Sequence, residues 1–137
     1  TKLFMVEIKS LKRILDECRK SDERVLCIVD EVLRGTNTVE RIAAACQIMK
    51  TLQNDNTICL AATHDIELTE LLEGQYDNYH FEETIEDDDI RFHYELKEGP
   101  ATTRNAIKLL QMLGYQEDIT KAAEEMAETF LKDGKWK

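Results

Sequence analysis

The first twenty residues place an apolar side chain every three or four positions, at Phe4, Ile8, Leu11, Leu15 and Cys18, so all five fall on one face of a helix. The polar stretch Ser21-Asp22-Glu23-Arg24 breaks it. Val25-Leu26-Cys27-Ile28-Val29 then runs apolar without alternation, the pattern of a parallel strand buried on both faces. Helical spacing returns at Val39, Ile42, Ala43, Cys46, Met49 and Leu52, with Asn37 and Glu40 placed to cap the first turn. Thr57 to Ala62 reads as a second short buried strand, and Leu68, Leu71 and Leu72 mark a short helix after it. The two strands are expected to lie parallel and close together. Beyond Gly74 the texture changes. Asn78 to Glu83 and Ile90 to Leu96 predict an exposed antiparallel hairpin joined by the acidic turn Glu86-Asp87-Asp88-Asp89. After Gly99-Pro100 come two helices, one through Ala106, Ile107, Leu110 and Leu113 to Gly114, the other through Ile119, Ala122, Ala123, Met126 and Phe130. The fold class is α/β, with parallel strands, a hairpin and C-terminal helices; no internal repeat appears.

Composition narrows the function. With 137 residues, 18 Lys+Arg against 28 Asp+Glu and a net charge of -10, this is one domain or a piece of one, long enough to bury a core without staples. Extended tracking of nucleic-acid phosphates needs clustered cations, so any DNA contact would come from other parts of a longer protein. Cys18, Cys27, Cys46 and Cys59 show no zinc or CxxC spacing and read as small buried hydrophobes in a reducing, cytoplasmic setting. No signal peptide or apolar run of membrane length is present. Thr1-Lys2-Leu3-Phe4-Met5 leads directly into a helical pattern, as expected of a fragment of a longer chain.

Chemistry concentrates at the C-terminal ends of the two parallel strands, where open α/β sheets place their ligands. The first ends in Asp30-Glu31. An apolar strand closing on two carboxylates is the Walker B arrangement: one holds Mg²⁺, directly or through water, and the next positions or deprotonates an attacking water. Solvated loop acids are the bland alternative. The second strand ends in Thr63-His64, and a neutral imidazole there can reach the same crevice and sense a γ-phosphate; a locally satisfied residue at the start of a helix is the alternative. His80 and His93 fall on the hairpin and read as surface or cross-strand residues.

These residues carry a resemblance. Val25-Leu26-Cys27-Ile28-Val29-Asp30-Glu31-Val32-Leu33-Arg34-Gly35-Thr36-Asn37-Thr38, followed by Ala61-Ala62-Thr63-His64-Asp65-Ile66-Glu67-Leu68-Thr69-Glu70-Leu71, resembles the C-terminal ATPase domain of the MutS family. Phe4-Met5-Val6-Glu7 looks like the end of its signature segment, Asn78-Tyr79-His80 is similar to its hairpin strand, and Gly99 to Tyr115 resembles its C-terminal helical segment. The loop Arg34-Gly35-Thr36-Asn37-Thr38 separates the chain from transporter-type and chromosome-structural ATPases that share the Asp-Glu and histidine elements.

The resemblance implies a partial P-loop NTPase sheet of the ABC type, with residues 1–98 as the C-terminal part of the ATPase domain and 99–137 as a helical dimerisation segment. It implies ATP and Mg²⁺ as cofactors, Asp30 as Mg²⁺ ligand, Glu31 as catalytic carboxylate and His64 as switch histidine. Gly35, Thr36, Asn37 and Thr38 would form the loop facing the partner subunit at a composite nucleotide site, in a homodimer whose other domains bind DNA. Two departures matter. Leu33-Arg34-Gly35-Thr36 stands where the familiar mismatch-repair members carry Gly-Arg-Gly-Thr, and Asn37-Thr38-Val39-Glu40-Arg41 looks more like a MutS-related branch. Lys2 occupies the place expected for the signature serine.

The chain also lacks GxxxxGK[ST]: its glycines are Gly35, Gly74, Gly99, Gly114 and Gly134, and none opens a Walker A motif. The phosphate cradle would lie upstream, and the fragment alone is expected to bind ATP poorly and hydrolyse none. Two other readings remain: a non-enzymatic interaction module using the hairpin and terminal helices, and a free-standing Mg²⁺ phosphohydrolase site at Asp30, Glu31 and Asp65.

Overall fold

The computed structural model of the chain describes residues 2–20, 22–102 and 104–137. Thr1 of the opening run, Ser21 of the expected helix break and Thr103 of the family-like segment after Gly99 lie outside the described residues. Two compact units divide between Asn78 and Tyr79.

The first unit, Thr1–Asn78, opens with α1 (Lys2–Lys20), whose apolar stripe buries Leu11 and Cys18 and lays Phe4, Ile14 and Leu15 against the same core. β1 (Val25–Asp30) and β2 (Thr57–Ala62) pair parallel, Val25 opposite Thr57 and Asp30 opposite Ala62. Between them runs α2 (Thr38–Thr51), and α3 (Ile66–Leu71) follows β2. Cys27 and Val29 of β1, Ala45, Cys46 and Met49 of α2, Leu52, and Leu68 and Leu72 around α3 complete the core. The Tyr76 hydroxyl donates to the Met49 carbonyl at 2.6 Å, tying the end of the unit to α2.

Burial on both faces, expected of the apolar β1 run, is not what the fold delivers. Leu26 and Ile28 on β1, and Ile58 and Leu60 on β2, are 57% to 69% exposed. Side chains alternate across a strand, and α1, α2 and α3 bury only one side of the pair. Among the described residues of this unit nothing covers the other.

In the second unit the expected hairpin is two ladders, not one. β3 (Tyr79–His80) pairs antiparallel with β6 (Lys97–Glu98), and β4 (Glu83–Glu86) with β5 (Asp89–Phe92). The strands are therefore shorter than Asn78 to Glu83 and Ile90 to Leu96, and the inner one begins at Asp89. The turn is confined to Asp87 and Asp88, both at positive φ (49° and 58°). That is the two-residue reversal whose twist suits a hairpin, with short polar side chains that tolerate it. Tyr94, also at positive φ (51°), lies in the gap between the ladders. α4 (Ala106–Met112) and α5 (Glu117–Asp133) follow as expected, α5 closing on Gly134 in the left-handed conformation.

All four cysteines are free; Cys18, Cys27 and Cys46 are buried and Cys59 partly so. Burial, then the neighbouring Cys59, pushes the Cys27 thiol up to about 11, and the same causes push the Tyr76 phenol well above its ordinary value. The cysteines pack as small apolar residues, in line with the sequence reading.

Candidate functional site

The end of β1 is built by an abrupt change in backbone. Asp30 takes the same side of the strand as Leu26 and Ile28, and its carboxylate is exposed. The next amide, Glu31 N–H, donates to the Ala62 carbonyl at 2.9 Å, extending the ladder by one bond. Glu31 and Leu33 then sit at φ of 61° and 59°, a left-handed conformation that costs a residue with a Cβ roughly 1–2 kcal/mol. Val32 and Leu33 are buried and pin the turn from below, and the Glu7 carboxylate of α1 accepts the Leu33 N–H at 2.5 Å. Strain held by surrounding contacts is a feature of functional sites, and here it sets the direction of Glu31.

The loop Gly35 to Thr38 is exposed. A Cβ on Gly35 would come to 3.3 Å from Cδ2 of Phe4, so α1 passes against this loop. Asn37 caps α2, its Oδ1 accepting from the Val39 and Glu40 amides at 3.0 and 3.4 Å. The expected cap and the expected loop are thus the same residues.

At the end of β2 the Thr63 hydroxyl accepts the Asp65 N–H at 3.0 Å, bracketing His64. The His64 ring is 97% exposed, and its Nε2 lies 3.5 Å from Oε1 of Glu31, whose side chain is 13% exposed. Two side chains 33 positions apart in sequence meet because parallel neighbours bring their C-terminal ends together. Beside them, between α1 and the end of β1, a depression of about 280 Å³ is lined by Glu7, Ser10, Asp30, Glu31 and Arg34 among others.

Asp65 does not join the carboxylates. Its Oδ1 receives Nη2 of Arg41 at 2.6 Å, and among the described residues no group of three or more His, Cys, Asp or Glu side chains is placed to hold a metal ion. A free-standing metal centre at Asp30, Glu31 and Asp65 is therefore not assembled. In the second unit, His80 is a partly buried cross-strand residue: its Nδ1 contacts the Gly99 carbonyl at 2.8 Å and its Nε2 faces Glu82 at 3.5 Å. His93 meets Thr84 across the hairpin at 2.9 Å. Glu7 and Arg41 were not singled out in sequence as site residues, since each reads as a solvated helix position; only their distant partners reveal them.

Residues 1–131 match the family model of MutS domain V. The chain belongs to the MutS family. It is 34% identical over 127 residues to the DNA mismatch repair protein MutS 2 of Haloarcula marismortui, and 38% identical over 127 residues to the DNA mismatch repair protein MutS of Aquifex pyrophilus. To the DNA mismatch repair protein MutS of Thermus aquaticus it is 29% identical over 123 residues. Each match covers 90% of this chain but only 13%, 14% and 15% of the relative, respectively. The chain spans about one seventh of the length of these proteins. Among the described residues no helix is long and apolar enough to cross a membrane.

Proposed function

We propose that this MutS-family segment is the C-terminal part of an ATPase domain of the P-loop, ABC type, completed by a Walker A segment outside these residues, in a protein that couples ATP hydrolysis to DNA binding in mismatch repair. The observation that carries the reading is the approach of Glu31 and His64 to 3.5 Å at the ends of adjacent parallel strands. A strained backbone aims the first, and solvent surrounds the second.

The donor set fits the magnesium half of such a site. Asp30 offers an exposed oxygen ligand at a rigid strand end, and Mg²⁺ takes one or two carboxylates while keeping waters and phosphate oxygens for the rest. Bound there, the ion supplies neutralisation of the charge on the transferring phosphoryl group. The phosphate cradle does not fit: the chain holds no GxxxxGK[ST], so that part belongs elsewhere. Glu31, largely shielded from solvent, orients the attacking water and accepts its proton. His64 offers its ring to a phosphate oxygen, and its exposure leaves that side open to ligand. Gly35, Thr36, Asn37 and Thr38 face outward as a loop that meets the second subunit of a homodimer needs to. Residues 99–137 serve as the dimerisation segment in this reading.

ATP turnover by the full-length protein, with and without DNA, tests it. Glu31→Gln is expected to abolish turnover, and the 137-residue chain alone is expected to be silent. An unchanged rate in Glu31→Gln removes the assignment. A non-enzymatic interaction module is the second reading, favoured by the exposure of Leu113, Leu131 and Trp136 around α4 and α5; Phe130, by contrast, is stacked on Trp136 at 4.2 Å.

A further inference from the structure

Arg41 lies in the first turn of α2, and its side chain is held in a way that stability alone does not explain. Arg41 and Asp65 are 20% and 15% exposed and meet through one guanidinium nitrogen at 2.6 Å. The buried Arg41 Nε has no hydrogen-bond partner. A mostly buried ion pair with one donor unsatisfied recovers little of its desolvation cost, and apolar residues of similar size commonly serve as well. What the pair does provide is a connection between the two loops of the site.

The connection is continuous. The Arg41 amide donates to the Asn37 carbonyl at 2.9 Å, so Arg41 moves with the exposed loop that ends at Thr38. Its guanidinium holds Asp65, whose own amide is bonded to the Thr63 hydroxyl. Those two residues flank His64, and the described contacts of the almost fully exposed His64 ring otherwise amount to Glu31 alone. His64 therefore has no packing of its own to fix it.

We propose that Arg41 is a positioning residue: through Asp65 it fixes the Thr63–Asp65 segment, so that displacement of the Gly35–Thr38 loop is transmitted to His64 and changes its approach to Glu31. The loop thereby reports contact with a second subunit to the histidine. The consequence for hydrolysis rests on the ATPase reading above, whereas the mechanical link does not.

The test uses imidazole carbon–proton NMR spectra of the 137-residue chain, with His64 assigned through His64→Gln. Asn37→Gly, which perturbs the loop while keeping a residue acceptable as a helix cap, is expected to shift the His64 resonances. In an Arg41→Met background that shift is expected to vanish, and Arg41→Lys, which keeps the charge, should retain part of it. Asp65→Asn, close to isosteric, supplies a second break of the pair should Arg41→Met fold poorly. A His64 response to Asn37→Gly that survives both breaks overturns the proposal. In the full-length protein, Arg41→Met should lower kcat about ten- to a hundredfold with KM for ATP unchanged, the scale of a misplaced reacting group. A hydrolysing protein whose kcat is unaffected overturns it as well. If the NMR coupling behaves as expected and the wild-type protein hydrolyses no ATP, the ATPase reading fails and the link between the loops stands.

Discussion

Glu31 shows how one residue's backbone can matter as much as its side chain. Its positive φ, repeated at Leu33, survives because Val32 and Leu33 are buried and Glu7 accepts the Leu33 amide. Hydrogen bonds to a charged group are worth roughly 1.5–3 kcal/mol, so Glu7→Ala should destabilise the chain by about that much, whereas Glu7→Gln, still an acceptor, should cost less. Urea-unfolding midpoints separate the two. Gly35 has ordinary φ but little room: the added Cβ of Gly35→Ala meets the Phe4 ring at 3.3 Å. That ring can shift by a few tenths of an ångström, so the cost should stay at or below about 1 kcal/mol, the low end of overpacking. Cys27 is chemically quiet for a stated reason. Its thiol is raised to about 11 by burial, leaving almost no thiolate at neutral pH, and native-state alkylation should spare it until the chain is unfolded.

At the scale of the element, α2 depends on a cap that the sequence announced. Asn37 satisfies the Val39 and Glu40 amides, and Asn37→Ala should lower stability by about 1 kcal/mol in thermal melts. The helices and the parallel pair were legible because a 3.6-residue period and two uninterrupted apolar runs leave few alternatives, and the approach of Glu31 to His64 followed from parallel topology. The hairpin was only half legible. Its strands mix polar and apolar residues with no clean period of two, so nothing in the pattern marked the gap at Phe81-Glu82 or the pairing of Tyr79 with Glu98. Glu7 and Arg41 were illegible for another reason: their partners lie 26 and 24 positions away.

The β3–β6 ladder also carries the clearest dependence on pH. Lys97, which hydrogen-bonds Glu82, holds that carboxyl below the usual range, and Glu82 in turn raises Lys97. The depressed carboxyl stabilises the fold above its ordinary pKa and loses that contribution as pH falls through the folded value. The raised lysine contributes below its ordinary pKa and loses it as pH rises through the higher one. Both are intact at neutral pH. Melting curves taken below about pH 4 should therefore fall less steeply for Glu82→Gln than for the wild type.

For the whole molecule, the decisive feature is the uncovered side of the β1–β2 pair. Leu26, Ile28, Ile58 and Leu60 form a contiguous apolar strip ending at Asp30, and strips of this kind drive association. Ile28→Lys should shift the isolated chain toward monomer in sedimentation experiments while changing the unfolding free energy by no more than about 0.5 kcal/mol, as for other surface substitutions. An apolar run by itself records only the burial a segment is suited to. Which surfaces supply that burial is decided by the rest of the fold.

The same strip has a calorimetric signature. Unfolding raises the heat capacity in proportion to the apolar area newly brought into water, and these four side chains are already largely wet when the chain is folded. The isolated chain should accordingly absorb less excess heat capacity per residue than a fully enclosed domain of the same length, and its stability should vary more gently with temperature on both the warm and the cold side.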